Sequence, residues 1–121
     1  MKILYVENHE RFVGQVLRQF LAEHEVTVVP GISTARARLA TSRYDVLLVD
    51  EDLDDGKGSV LVQELRHAGY TGAIVAASAH AEGNAALLQA GANAQCGKLD
   101  FSRIGQVLAG LEATATEAAP R

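Results

Sequence analysis

Short, continuously apolar runs punctuate the chain at fairly even spacing: Ile3 to Val6, Val26 to Val29, Val46 to Val49, Ala73 to Ala77 and a weaker run from Ala94 to Cys96. A run that is apolar at every position suits a strand covered on both faces, whereas a half-wet antiparallel strand alternates apolar and polar residues. The runs therefore predict a parallel sheet. Between the first two, Phe12, Val13, Val16, Leu17, Phe20 and Leu21 share one face of a helix, with Arg11, Gln15, Arg18 and Gln19 outside. Ala35 and Leu39 mark a second helix opened by Ser33 or Thr34 as its cap, and Leu61 and Leu65 a third that ends near Gly69. Ala86, Leu87 and Ala90 predict a fourth helix ending at Gly91. Phe101, Ile104, Val107, Leu108 and Leu111 predict a fifth after Asp100 or Ser102. Right-handed crossovers turn this alternation into an α/β fold, a doubly wound five-stranded parallel sheet with strand order 2-1-3-4-5 and helices on both faces.

Composition narrows the setting. With 121 residues, 48% hydrophobic and 21% charged, the chain suits one globular domain. That domain is expected over residues 1–112, and residues 113–121, which lose the large apolar side chains, are expected to form a flexible tail. The single cysteine, Cys96, forms no internal disulfide and reads as a buried strand residue without a redox role. No apolar stretch approaches the roughly 18 residues of a membrane span, and Met1-Lys2-Ile3-Leu4 leads straight into a strand without a signal-peptide pattern. A cytoplasmic protein without membrane contact is expected. The net charge of −4 argues against direct nucleic-acid binding, which needs clustered Lys and Arg.

Ligands of open α/β sheets bind beyond the carboxyl ends of the strands. Here those ends carry Glu7-Asn8, Asp50-Glu51-Asp52, Ser78-Ala79 and Gly97-Lys98. Carboxylates at one mouth suit a hard divalent cation such as magnesium, while a hydroxyl and an ammonium suit phosphoryl oxygens. Transfer of a phosphoryl group to a carboxylate needs these parts, and Asp50, the central carboxylate, is the natural acceptor. Each residue also has a plainer reading: Glu7 or Asn8 as cap of the first helix, Ser78 as cap of the fourth, and Lys98 as a surface lysine. Glu51, Asp54 and Asp55 read as a solvated turn and Asp50 as an exposed residue at the sheet edge. Of His9, His24, His67 and His80, only His80 overlooks the mouth.

In their order along the chain, Val6-Glu7-Asn8, Leu47-Leu48-Val49-Asp50, Asp55-Gly56-Lys57-Gly58, Ala77-Ser78-Ala79 and Gly91-Ala92 followed by Lys98 resemble the motifs of a response-regulator receiver domain of two-component signalling, over nearly the whole chain. The resemblance implies a flavodoxin-like receiver fold, like that of single-domain chemotaxis regulators. It implies that Asp50 takes a phosphoryl group from a histidine kinase or histidine phosphotransfer protein. Glu7, Asn8, Asp50 and the backbone carbonyl of Asp52 would hold Mg2+, and Ser78 and Lys98 would bind the phosphoryl group. Asp52 and His80 would tune the lifetime of the signal, and the fourth helix, fifth strand and fifth helix would meet a downstream protein. Such a domain catalyses only its own phosphorylation and dephosphorylation.

Four positions depart from the family's pattern. Asn8 stands where a metal-contacting carboxylate is usual, so magnesium should bind weakly. Gln95 stands where an aromatic ring usually swings inward with the Ser/Thr, and Leu99 replaces a proline. Asp54 replaces another proline and adds acidity beside Asn8. These changes leave open a pseudo-receiver, an interaction module that works without phosphorylation. Asp50-Glu51-Asp52 also resembles the nucleophile motif of haloacid-dehalogenase-type phosphatases, but that motif belongs on the first strand of a larger chain. Gly91 to Lys98 has the wrong glycine spacing for a phosphate-binding P-loop.

Overall fold

The computed structural model describes residues 1–118, with side chains described through residue 112. The expected alternation is present: β1 (Lys2–Val6), α1 (Glu10–Gln19), β2 (Glu25–Val29), α2 (Ile32–Thr41) and β3 (Val46–Val49) lead into a small hairpin, β4 (Asp52–Leu53) and β5 (Gly56–Lys57). Then come α3 (Gly58–His67), β6 (Ala73–Ala76), α4 (Ala81–Ala90), β7 (Ala94–Gln95), a 3-10 helix (Lys98–Arg103) and α5 (Ile104–Ala118). The main sheet is parallel and runs β2-β1-β3-β6-β7. With β6 and β7 as the fourth and fifth strands of the main sheet, this is the expected order. The antiparallel β4–β5 hairpin has two residues per strand, too short to show a hydrophobic period.

The sheet divides two apolar layers. Ile3, Tyr5, Leu48, Val75 and Ala77 face α1, the 3-10 helix and α5, where they meet Val13, Val16, Phe101, Ile104 and Leu108. Leu4, Val6, Leu47, Val49 and Ile74 face α2, α3 and α4 and meet Ala35, Leu61, Val62 and Leu87. Alternate residues of one strand thus enter different layers, which is why the central strands are apolar throughout. The same expectation fails at β2. Being an edge strand, it buries only Val29 among its five residues, and Val28 remains exposed.

Helix ends differ from the expected caps. Gly31, not Ser33 or Thr34, is the N-cap of α2; Thr34 reaches back so that its Oγ1 accepts the Gly31 N–H at 3.2 Å. The segment from Lys98 to Arg103 is 3-10 with a break at Asp100, so neither Asp100 nor Ser102 caps α5. Gly91, at φ 130°, ends α4 as expected, in a conformation that favours glycine. α5 continues to Ala118, across the expected 112/113 boundary, while residues 119–121 of the expected tail lie outside the described residues. No helix among the described residues is long and apolar enough to cross a membrane.

Candidate functional site

Parallel register aligns the strand ends. Val6 pairs with Val49, and Val49 with Ala76, so the chain leaves β1, β3 and β6 at one level. Backbone bonds carry the ladder past the strands: Asp50 N–H donates to Val6 O at 3.0 Å, Ala77 N–H to Val49 O at 2.9 Å and Lys98 N–H to Ser78 O at 3.1 Å. Glu7, Asp50, Ser78 and Lys98 converge there as the motif order requires.

At the centre the Lys98 ammonium lies 2.9 Å from Glu7 Oε1 and 3.3 Å from Asp50 Oδ2. Glu7 is 2% and Asp50 3% exposed, so the expectation of an exposed Asp50 at the sheet edge is corrected: β3 delivers Asp50 to a buried position. Burial pushes the Glu7 carboxyl above the usual carboxylate range, and the charge of Asp50 adds to the rise while Lys98 opposes it. Burial alone would lower Lys98, but Glu7 and Asp50 outweigh it and hold the ammonium above its ordinary value. Glu7 Oε2 also accepts the His9 N–H at 3.0 Å, but His9 is the N-cap of α1 and carries no side-chain cap bond, so Glu7 does not cap the helix and its carboxylate belongs to the cluster.

Asn8, Asp50, Asp52, Ser78, His80 and Lys98 line one open pocket of about 310 Å³, with Glu7 beneath it. Asn8 does not cap α1; its Nδ2 donates to Asp54 Oδ1 at 2.9 Å. Asp52 forms an ion pair with Lys57 across the hairpin, and that bond draws its carboxyl below the usual range. Ser78 does not cap α4, whose N-cap is His80; Ser78 Oγ instead accepts the His80 N–H at 3.1 Å. Gln95 is exposed on β7 and lines, with Ser78 and Asn84, a neighbouring pocket of about 320 Å³. Cys96 is buried as expected but lies one residue past β7, not in the strand, and burial raises its thiol pKa, which disfavours the reactive thiolate.

The acidic turn is not simply solvated. Glu51 is buried and accepts Ser59 N–H at 2.7 Å and Ser59 Oγ at 2.9 Å, tying the loop to the start of α3. Asp55 accepts Ile32 N–H at 2.6 Å and Ser33 N–H at 2.9 Å at the start of α2. Free helix N–H groups account for both placements. Gly58, the first residue of α3, passes so close to the end of β3 that an added Cβ would lie 1.9 Å from Asp50 O.

Two further residues were not singled out by sequence reasoning. Tyr5 shares the face of Glu7 by strand alternation, and its buried hydroxyl has no hydrogen-bond partner among the described residues; burial first, then the charges of Glu7 and Asp50, push its pKa far up. Asn84 sits one turn before Leu87 on the inward face of α4, where a polar residue signals a specific bond. Its Oδ1 accepts Ser78 N–H at 2.8 Å and its Nδ2 donates to Ser78 O at 3.1 Å.

Among the described residues no three His, Cys, Asp or Glu side chains form a preformed metal cluster. The chemistry of the mouth nevertheless fits a hard cation: two buried carboxylates face it, and Glu7 Oε1 makes an ion pair but no aligned hydrogen bond.

The response regulator receiver domain family matches residues 3–105. Among curated proteins no relative matches. Solved structures share the fold at low identity. The Francisella response regulator 1452 receiver domain has a TM-score of 0.79 at 18% identity, covering 98% of each chain. The receiver domain of NtrX from Brucella abortus has a TM-score of 0.81 at 20% identity, covering 93% of this chain and 98% of its own. Response regulator TrrA from Thermotoga maritima, solved in complex with Mg2+ and BeF, has a TM-score of 0.80 at 18% identity, covering 92% of this chain and 99% of its own. The family match takes in all five strands of the parallel sheet except Lys2 at the start of β1, and the whole cluster of Glu7, Asp50, Ser78 and Lys98, and the chain belongs to the response regulator receiver domain family.

Proposed function

We propose that Asp50 is the phosphoacceptor of a two-component phosphorelay, loaded by a histidine kinase or a histidine phosphotransfer protein. The observation that carries this reading is the Lys98 ammonium held between the buried carboxylates of Glu7 and Asp50 at the mouth of the sheet. An Asp50 carboxylate oxygen attacks the phosphorus of a phosphohistidine. The P–N bond breaks with its electron pair passing to the imidazole nitrogen, and a P–O bond forms, leaving an acyl phosphate on Asp50. Lys98 is already beside the attacking group and offsets charge on the phosphoryl oxygens, while the Ser78 hydroxyl supplies a hydrogen bond from the same pocket.

Glu7, Asn8, Asp50 and the Asp52 backbone carbonyl would hold Mg2+, which supplies further charge neutralisation. Asp52 and His80 line the same pocket and tune how quickly water reaches the acyl phosphate. The signal passes by protein contact through the face of α4, β7 and α5, and the domain catalyses only its own phosphorylation and dephosphorylation. Incubation with a small-molecule acyl phosphate and magnesium, read on a phosphate-affinity gel, tests this directly. Wild type should gain one base-labile phosphate and Asp50→Asn none. Phosphate on the variant, or none on wild type, overturns the assignment.

The bond from Asn8 to Asp54 favours a second reading, a pseudo-receiver that signals without phosphate, because it turns the Asn8 amide toward the loop. Magnesium with beryllofluoride separates the two: a pseudo-receiver would give no spectral change.

A further inference from the structure

The Ser78 backbone is a junction. Its N–H donates to Asn84 Oδ1 at 2.8 Å, and its carbonyl accepts both Asn84 Nδ2 and the Lys98 N–H, each at 3.1 Å. Asn84 is 8% and Ser78 1% exposed, so water cannot readily replace these bonds. The amide thus clamps both backbone polar groups of one residue, which lie on two successive peptide units, from inside α4. A second contact tightens the joint: a Cβ at Gly83 would lie 2.5 Å from Ser78 Oγ and 3.1 Å from Glu51 Cβ, so the first turn of α4 sits directly against the Ser78 side chain. Gln95 is exposed and, among the described residues, its side chain makes no hydrogen bond to Ser78.

We infer that Asn84 is a positioning residue that transmits movement of Ser78 to α4, in place of a side chain at position 95. The inference rests on the proposed binding of a phosphoryl group beside Ser78. If the Ser78 backbone shifts toward that group, Asn84 must either follow or leave a buried amide and a buried peptide unpaired, so serine and helix move together. Because Lys98 N–H shares the same carbonyl, the path also joins α4 to the residue that pairs with Asp50. The bulk of a ring is not needed for this coupling; a bidentate amide provides it through direction.

Amide exchange with mass spectrometry, with and without magnesium and beryllofluoride, tests the idea on wild type, Asn84→Ala, Asn84→Asp and Gln95→Ala, with phosphate uptake from an acyl phosphate measured in parallel. Wild type should change exchange in the first turns of α4 by about threefold, a local opening response. Asn84→Ala should take up phosphate but lose most of that response. Asn84→Asp, which keeps the acceptor for Ser78 N–H and loses the donor, should lie between, and gives the answer if the alanine variant does not fold. Gln95→Ala should match wild type. A wild-type response in either Asn84 variant, or phosphorylated wild type with an unchanged α4, overturns the coupling while leaving Asp50 as acceptor. Absence of phosphate uptake by wild type overturns the site reading and the coupling with it.

Discussion

The side chain of Asn8 donates a hydrogen bond to Asp54 Oδ1 at 2.9 Å, joining the end of β1 to the acidic loop after β3. Both residues are exposed, and the bond exists because one partner is an amide and not a second carboxylate. Asn8→Asp should replace it with repulsion, lowering the unfolding temperature of the metal-free protein. The same change adds a charge near the cation ligands proposed here. Magnesium should then bind about tenfold more tightly, or roughly 1.4 kcal/mol. Exposure keeps this below the roughly 4 kcal/mol of two unit charges 4 Å apart at an effective dielectric of 20. Calorimetric titration and melting with and without magnesium check both halves; equal affinities in the two proteins would contradict it.

Lys98→Met should destabilise the protein by roughly 3 kcal/mol at neutral pH, because it leaves two buried carboxylates without their cation. The pH dependence has a definite sign. Glu7 has a folded-state pKa above its unfolded value, so the native state binds the extra proton and stability falls as pH rises from the ordinary carboxylate value through the raised one. Removing Lys98 deletes an influence that lowers Glu7 and extends that fall upward. The deficit of the variant should therefore shrink on acidification toward about pH 5. Urea unfolding across pH measures it, and a deficit that grows as pH falls would contradict the account.

At the alkaline end the reasoning runs through Lys98 itself. Its pKa is raised in the folded state, so its contribution is complete below the ordinary lysine value and is lost as pH rises through the folded value. Wild type should lose stability in that range more steeply than Lys98→Met. Matching slopes would remove Lys98 as the source.

Asp50→Asn should keep the fold while abolishing phosphate uptake. It removes one of two carboxylates that repel each other, leaves Glu7 to pair with Lys98, and retains a polar group of the same size. Its stability should stay within about 1 kcal/mol of wild type, unlike that of Lys98→Met. Thermal unfolding beside the phosphate-affinity gel separates a lost acceptor from a lost fold.

Gly58→Ala should cost about 3 kcal/mol, at the upper end of overpacking effects, because the new methyl would meet Asp50 O at 1.9 Å and Val49 Cγ1 at 2.8 Å, neither of which yields cheaply. The start of α3 would have to move away from the end of β3. Urea unfolding gives the loss. A variant as stable as wild type would mean that α3 shifts freely there.

What the sequence determined by itself was the layered fold and the set of residues at its mouth. Ile3 to Val6 and Val46 to Val49 are apolar at consecutive positions because each face of the central sheet is covered, and that requirement is written locally. Strand ends follow from the same runs, so Glu7, Asp50, Ser78 and Lys98 could be grouped before any contact was visible. Tertiary structure alone decided that β2 is a half-open edge, that Asp50 is buried, and where polar side chains find partners. Asp55 bonds the start of α2 from 22 and 23 residues away, and Asn8 reaches Asp54 across 46. Asn84 looks like any polar helical residue until α4 packs on Ser78. Hydrophobic burial is non-directional and leaves a periodic trace in the chain, whereas a hydrogen bond depends on two groups meeting at the right distance and angle, which only the packing of distant elements brings about.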